Sequence, residues 1–172
     1  NIYSFKCDIS NNVELENLFN FIKEKFNKID VLINAAAIIQ NQTFVNLNID
    51  DWQNLIDINV RGTVLSCKYA FDIMKENSAG SIINISSLGG IANTEKFLGF
   101  SSYVTSKFAI NGLTESLAAE GKEYNIRVNA IAPGAVDTKM LKQAAPHLKT
   151  NTKPKDIAKT IFHLADDDNS SH

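Results

Sequence analysis

The sequence predicts an α/β fold in which the strands of one parallel sheet alternate with helices. Two short runs, residues 29–33 and 80–85, are rich in apolar residues and typical of strands in a buried parallel sheet. Segments with apolar residues at helical spacings follow these runs, as expected where helices connect parallel strands. With 172 residues, 44% of them hydrophobic, the chain is expected to form a single domain over residues 1–172.

The N-terminal segment predicts a strand followed by a helix. Residues 2–7 alternate in polarity and favour the β conformation, and apolar residues recur at helical spacings from Val13 to Phe26. Asp8 stands just past the predicted strand, where an aspartate suits a turn or a helix cap.

The middle of the chain predicts one long helix after the strand at 29–33. Asp50, with Gln53 three residues later, resembles a capping pair at a helix start. The helix is expected to run to about Lys75 with the polar Asn59 inside it. An asparagine there costs helix propensity and desolvation, so it could equally sit at a kink where it bonds to backbone.

The second half of the chain predicts two more strands and two more helices. Residues 105–122 carry apolar residues on one helix face, the β-rich run 126–132 follows, and Pro154 opens a last helix. Ser86 and Ser87 come directly after the strand at 80–85. Functional groups of open α/β sheets lie beyond the carboxyl ends of the strands, which makes both serines candidate site residues.

Tyr103 and Lys107 stand four residues apart before the bulk of the helical pattern and share a face. A fixed positive charge beside a phenol stabilises phenolate, which would pull the tyrosine pKa of about 10 towards neutrality. Tyrosine would then be a usable general acid or base. The same spacing also occurs in helices as a packed ring beside a solvated lysine stem, so the pair alone leaves both interpretations open.

The composition argues against several classes of protein. The net charge is −2, no apolar run reaches the length of a membrane span, and the N-terminus lacks a basic region followed by an apolar core. We therefore expect a cytoplasmic protein with no nucleic-acid or membrane partner. Cys7 and Cys67 have no companions at metal-binding spacing, and the histidines are scattered, so no metal site is expected. Those histidines are His147, His163 and His172.

The context of the tyrosine and lysine extends downstream. The Tyr-x-x-x-Lys pattern at Tyr103 and Lys107 is followed, at the distance of one helix and one loop, by the run NAIAPG from Asn129 to Gly134. In these motifs the chain resembles the short-chain dehydrogenase/reductase family, classical type. The resemblance implies a Rossmann-like doubly wound parallel sheet. It also implies an oxidoreductase that uses NAD or NADP to interconvert a small-molecule secondary alcohol and a carbonyl by hydride transfer.

The resemblance implies four catalytic residues. Tyr103 would protonate the carbonyl oxygen or deprotonate the alcohol, and Lys107 would lower the tyrosine pKa and bond the nicotinamide ribose. Ser87, which is followed by two residues and then a glycine, would hold the substrate oxygen. Asn59 would anchor a proton-relay water. Residues 93–100 form a longer loop than the family pattern and would lie against the substrate.

The resemblance also implies a set of cofactor contacts. Asp8 would lie beside the adenine, and Thr138 would bond the nicotinamide carboxamide, although a threonine there could also cap a helix. Residues 34–37 read Asn-Ala-Ala-Ala where the family usually has Asn-Asn-Ala-Gly, and Ala37 tolerates positive φ poorly. The expected contacts are Asp8, Asn34, Ala35, Ala36, Tyr103, Lys107, Pro133, Gly134, Val136 and Thr138.

The expected Rossmann-like sheet is incomplete in this chain. None of the eight glycines opens a strand-turn-helix unit near the N-terminus, where a dinucleotide fold receives the pyrophosphate. The resemblance aligns residues 2–7 with the third strand and stops before the seventh. Strands 1 and 2 and the last strand are thus absent. In the order 3-2-1-4-5-6 the third and fourth strands are not neighbours, so sheet edges should be exposed.

Two other functions stay open at this point. A non-catalytic relative of these enzymes could serve as a structural or interaction partner, and the missing glycine-rich turn favours this. The same fold could also carry out dehydration or epimerisation. For the intact protein, a monomer whose extra apolar surface lies under its own loops is one possibility. The resemblance implies instead a homodimer or homotetramer in which the helices at 52–75 and 105–122 form a four-helix contact. The first of them is apolar around more of its circumference than one sheet-facing stripe requires.

Overall fold

A three-stranded parallel sheet forms the centre of the protein, in the order β1-β2-β3. The computed structural model describes residues 1–166. Asn34 of β1 lies opposite Asn84 of β2, which lies opposite Ala130 of β3, so the three carboxyl ends meet at one edge. The strands are β1 (Val31–Asn34), β2 (Gly80–Ile85) and β3 (Ile126–Ile131). This confirms the predicted α/β class and these three predicted strands.

Residues 1–166 also form six α-helices. Helices α1 and α3 pack against each other, and α3 contacts all three strands while α4 lies against β3. The main core contains Leu15 and Phe19 of α1, Ile82 of β2 and Val128 of β3, all buried. The helices are α1 (Asn12–Phe26), α2 (Ile49–Ile56), α3 (Gly62–Asn77), α4 (Ser101–Gly121), α5 (Lys139–Ala144) and α6 (Pro154–Ala165).

The predicted strand at residues 2–7 is wrong, because this segment has no strand conformation. A strand is stabilised by a neighbouring backbone, and residues 2–7 join no sheet in the part of the chain that the structure describes. Instead the Tyr3 ring packs edge-on against Phe26, with ring centroids 5.6 Å apart. The edge strand β1 is also more open than its apolar sequence predicts, since Ile33 is 46% exposed.

The long helix predicted before Lys75 is confirmed as three consecutive helical pieces. Helix α2 continues through a π-helical turn, Asp57–Arg61, directly into α3. The cap of α2 is Asn48 and not Asp50, because the Asn48 side chain accepts hydrogen bonds from the backbone N–H groups of Asp50 and Asp51. Single π-helical turns often occur at functional sites.

Helix α4 begins at Ser101, four residues before the predicted start, and therefore includes Tyr103 in its first turn. Pro154 opens α6 as predicted. His172, the last of the three scattered histidines, lies outside the described residues.

Candidate active site

The loops that follow β2 and β3 run side by side at the carboxyl edge of the sheet. The Ser86 N–H donates to the Ile131 carbonyl oxygen at 2.7 Å, and the Leu88 N–H donates to that of Pro133 at 2.9 Å. These bonds hold Ser87 beside the Pro133-Gly134 turn. Two segments far apart in the sequence thus form one wall of the site.

Ser86 and Ser87 have different surroundings. The buried Ser86 hydroxyl donates to the Lys107 backbone carbonyl at 3.2 Å, which ties β2 to α4. The Ser87 hydroxyl accepts from the Gly89 N–H at 3.2 Å, and it lies close enough to the Tyr103 hydroxyl to lower the pKa of that phenol. The structure therefore brings together Ser87 and Tyr103, as the sequence predicts.

Helix α4 brings Lys107 behind Tyr103. The Lys107 ammonium donates to the Ile85 carbonyl oxygen at 2.7 Å and lies 5.5 Å from the centroid of the Tyr103 ring. Lys107 is only 4% exposed. Gly90 permits this depth, because a Cβ at that position would come within 2.7 Å of the Lys107 backbone. The lysine is a buried cation and not the solvated helix residue of the alternative interpretation.

Burial governs the protonation of both residues. It raises the pKa of Tyr103, and the nearby Ser87 hydroxyl only partly opposes this. Burial also lowers the pKa of Lys107 to about 8. The expected lowering of the tyrosine pKa is therefore not found. The physical reason is that desolvation outweighs the stabilisation of phenolate.

Asn59 lies in the π-helical turn, and both polar atoms of its side chain make hydrogen bonds. Its amide oxygen accepts from the Ile38 N–H at 2.8 Å, and its amide nitrogen donates to the Ile38 carbonyl at 2.9 Å. The same nitrogen donates to the Ser106 hydroxyl at 3.1 Å, and that hydroxyl donates to the Tyr103 backbone carbonyl at 2.7 Å. Asn59 is thus connected to Tyr103 through Ser106.

A cavity of about 750 Å³ opens in front of Ser87 and Tyr103. This is within the range of about 300–1,000 Å³ that is usual for ligand pockets. Six of the predicted cofactor contacts line it: Ala35, Tyr103, Pro133, Gly134, Val136 and Thr138. The Thr138 hydroxyl also caps α5 by accepting from the Leu141 N–H at 3.2 Å. The helix-capping interpretation of Thr138 is therefore correct, while its place in the cavity wall is compatible with the cofactor interpretation.

The other predicted site residues do not line this cavity. Asp8 closes a local turn, where hydrogen bonds from Ser10 lower its carboxyl pKa. The Asn34 amide donates to the Asn84 side chain at 2.9 Å and contacts the Cys67 sulfur. Ala36, Lys107 and Asn59 likewise do not belong to the wall.

Sequence reasoning missed two polar arrangements around the site. One is Ser106, fully buried between Asn59 and Tyr103. The other is the carboxylate of Asp137, which pairs with Lys142 at 2.8 Å and Lys153 at 2.6 Å. A polar residue on the buried face of a helix could have indicated Ser106. No local signal indicates the ion pair with Lys153.

Neither a metal site nor a membrane helix is found in residues 1–166. No cluster of three or more histidine, cysteine or acidic side chains there could hold a metal ion. None of the described helices has both the length and the apolar character needed to cross a bilayer.

Comparison with known proteins agrees with the motifs. The family model described as short chain dehydrogenase matches residues 1–149. A 3alpha-hydroxysteroid dehydrogenase of Mediterraneibacter gnavus is 38% identical over 161 residues, which cover 87% of this chain. The chain spans 63% of the length of that relative.

Two solved structures have the same fold and related sequences. A levodione reductase is 29% identical with a TM-score of 0.87, over 96% of this chain and 70% of its own. The protein ElxO, solved with NADP bound, is 28% identical with a TM-score of 0.86, over 98% of this chain and 72% of its own.

Proposed function

The chain belongs to the short-chain dehydrogenase family, and from this premise we propose that the intact protein interconverts a secondary alcohol and a carbonyl with NAD or NADP. The observation that carries this proposal is the position of Ser87 beside Tyr103 at the cavity wall, with the buried Lys107 behind them. A hydroxyl pair beside a cavity can hold a carbonyl oxygen and exchange a proton with it.

Each of the four residues has a distinct proposed role. Tyr103 donates its phenol proton to the carbonyl oxygen during reduction and accepts the alcohol proton during oxidation. Ser87 hydrogen-bonds the same oxygen and orients it. Lys107 stabilises the phenolate when tyrosine has lost its proton. Asn59 fixes the first turn of α4 through Ser106. As the fourth residue it would also anchor a water that relays a proton to Tyr103.

The raised pKa of Tyr103 supports a proton donor at neutral pH. Burial keeps the Tyr103 side chain in the phenol form at neutral pH, which is the form that carbonyl reduction uses. Oxidation of the alcohol requires the phenolate, so we expect it to be favoured at alkaline pH.

The residues at the carboxyl edge fit a nicotinamide ring. Ala35 and Gly134 keep large side chains out of this wall, and a Cβ on Gly134 would come within 3.2 Å of the Leu88 side chain. A bound nicotinamide supplies or accepts the two electrons as a hydride at the substrate carbon, while the proton balance goes through Tyr103. Pro133, Val136 and Thr138 would hold the ring, and Lys107 would bond its ribose.

The remaining parts of the proposal concern the whole protein. We assign residues 1–172 to part of one NAD(P)-binding domain and propose that Asp8, Asn34 and Ala36 lie near the rest of the dinucleotide. The protein is proposed to act in the cytoplasm on a small-molecule substrate. Its proposed assembly is a homodimer or homotetramer.

Replacement of Tyr103 by Phe in the intact protein tests this function. Only the ionisable oxygen is removed, so we expect turnover to fall about 10²–10⁴-fold while cofactor affinity and thermal stability stay nearly unchanged. Tyr69→Phe is the matched control, because the Tyr69 hydroxyl binds Asn12, outside the cavity wall. Turnover by Tyr103→Phe within about threefold of wild type would refute the assignment.

A further inference from the structure

We propose that the cavity in front of Tyr103 selects a bulky, largely hydrocarbon ketone or secondary alcohol of fused-ring size. This substrate class rests on the proposed hydride transfer. It rests also on the apolar residues of the cavity wall, which the proposed chemistry does not use.

Four segments provide that wall with apolar side chains. The loop before α4 contributes aromatic rings, and α5, the turn after it and α6 contribute aliphatic chains. Six of these residues carry the argument: Phe97, Phe100, Met140, Leu141, Leu148 and Ile161. Such a wall gains free energy by removing hydrocarbon from water and offers nothing to a substrate hydroxyl.

The polar groups of the cavity are largely committed to protein partners. The Thr94 hydroxyl donates to the Leu88 carbonyl at 2.7 Å, and the Lys96 ammonium donates to the Ile91 and Thr94 carbonyls at 2.8 and 3.0 Å. Ser86 is tied to α4, and Thr138 caps α5. Ser87 and Tyr103 are therefore the hydroxyls best placed for substrate.

The charges at the wall also disfavour an acidic substrate. Among the described residues that line the cavity, Glu95 and Lys96 carry charge. The Lys96 ammonium is held by its own loop, so it is poorly placed to bind an acidic substituent. The Glu95 carboxylate would repel one.

The apolar wall is held in place by polar contacts outside it. The Asn41 amide donates to the Ala144 carbonyl at 3.1 Å at the end of α5. Asp137 binds Lys142 within α5 and Lys153 just before α6. These contacts join both helices to neighbouring segments, and a rigid ligand would lose little conformational entropy on binding to such a wall.

The test compares two cyclic ketones in the intact protein. Decalone is a fused bicyclic hydrocarbon ketone, and inosose is a cyclohexanone with five hydroxyl groups. With NADH and NADPH each supplied, we expect kcat/KM for decalone to exceed that for inosose at least about a hundredfold. Equal or reversed values overturn the substrate class while the proposed hydride transfer stands.

Calorimetric titration of each ketone, with cofactor present, separates the two proposals. Saturable binding of decalone without binding of inosose supports the inference even where neither ketone is turned over. Absence of decalone binding overturns it. Failure of the protein to bind either dinucleotide counts against the proposed function instead. Decalone is then titrated without cofactor, where binding supports the inferred substrate class and absence of binding overturns it.

A pair of leucine variants locates the selectivity. Leu141→Asn places an amide in the wall at nearly constant volume, and we expect kcat/KM for decalone to fall at least about tenfold while that for inosose stays or rises. Leu98→Asn is the control, because Leu98 is 90% exposed and does not line the cavity. If Leu141→Asn does not fold, Leu148→Asn serves in its place. Equal effects of the wall and control variants overturn the inference.

Discussion

The Lys107 ammonium donates a hydrogen bond of 2.7 Å to the Ile85 carbonyl oxygen, the last residue of β2. This bond ties the helix that carries Tyr103 to the strand that precedes Ser87. The ammonium group is buried at this position. Burial lowers the pKa of Lys107 to about 8 from its ordinary value of 10.5. One residue therefore bears on both the geometry and the pH dependence of the site.

Replacement of Lys107 by Met should remove a pH-dependent component of stability. Between pH 8 and pH 10.5 the unfolded chain binds more protons at this lysine than the folded chain, so the wild-type free energy of unfolding should rise with pH across that window. Below pH 8 the cost of burying the cation is fully present. Chemical denaturation at several pH values measures the slope, which Lys107→Met should lack.

The lysine substitution should also weaken cofactor binding and lower the rate. The exposed Lys122, at the end of α4, provides the control Lys122→Met, which should leave both properties unchanged. Unchanged cofactor affinity and rate in Lys107→Met would show that the lysine acts only in packing.

Replacement of Asn59 by Leu should destabilise the fold and lower activity together. The substitution leaves the Ile38 N–H and carbonyl groups without their partners, at a cost of about 2–4 kcal/mol in the free energy of unfolding. Asn54→Leu is the control at an exposed position of α2. Denaturant titration gives the difference, and a loss no larger than that of the control would contradict the role of this contact.

Replacement of Asp137 by Asn should reduce stability at neutral pH and remove an acid-sensitive component. Hydrogen bonds from Lys142 and Lys153 hold the pKa of Asp137 at about 2, below the value of about 3.9 for an unfolded chain. Its stabilising effect is therefore fully present above about pH 4 and is lost as the pH falls towards 2.

Thermal unfolding at neutral and acid pH measures this effect. The wild-type Tm should fall more steeply than that of Asp137→Asn between pH 4 and pH 2, and high salt should reduce the difference between them. Asp30→Asn removes an exposed ion pair with Lys28 and is the control. Parallel Tm profiles for wild type and Asp137→Asn would show that the ion pairs of Asp137 with Lys142 and Lys153 do not stabilise the fold.

The proposed assembly predicts a loss of oligomers when apolar side chains of the two long helices are made polar. Val64 of α3 is 39% exposed and Phe108 of α4 is 41% exposed, so each helix presents an unburied apolar side chain. Phe108→Ser should shift the intact protein towards monomers in sedimentation at micromolar concentration. Phe44→Ser is the control at a position outside these helices that is 76% exposed. A monomeric wild-type protein would refute the interface.

The local pattern of the sequence was enough to predict most elements and the spacing of the catalytic candidates. Apolar runs identified β1, β2 and β3, and helical periodicity identified α1, α3 and α4, because both depend on neighbouring residues along the chain. The four-residue spacing of Tyr103 and Lys107 likewise follows from one helical turn. The short-chain dehydrogenase motifs then indicated the family.

The tertiary structure alone decided the features that depend on residues far apart in the chain. Residues 2–7 have strand-like sequence but form no strand, because a strand requires a backbone partner. The direction of the Tyr103 pKa shift followed from burial, which no local pattern reports. The apolar wall of the cavity and the ion pairs of Asp137 with Lys142 and Lys153 join segments that meet only after folding, so no local sequence motif predicts them.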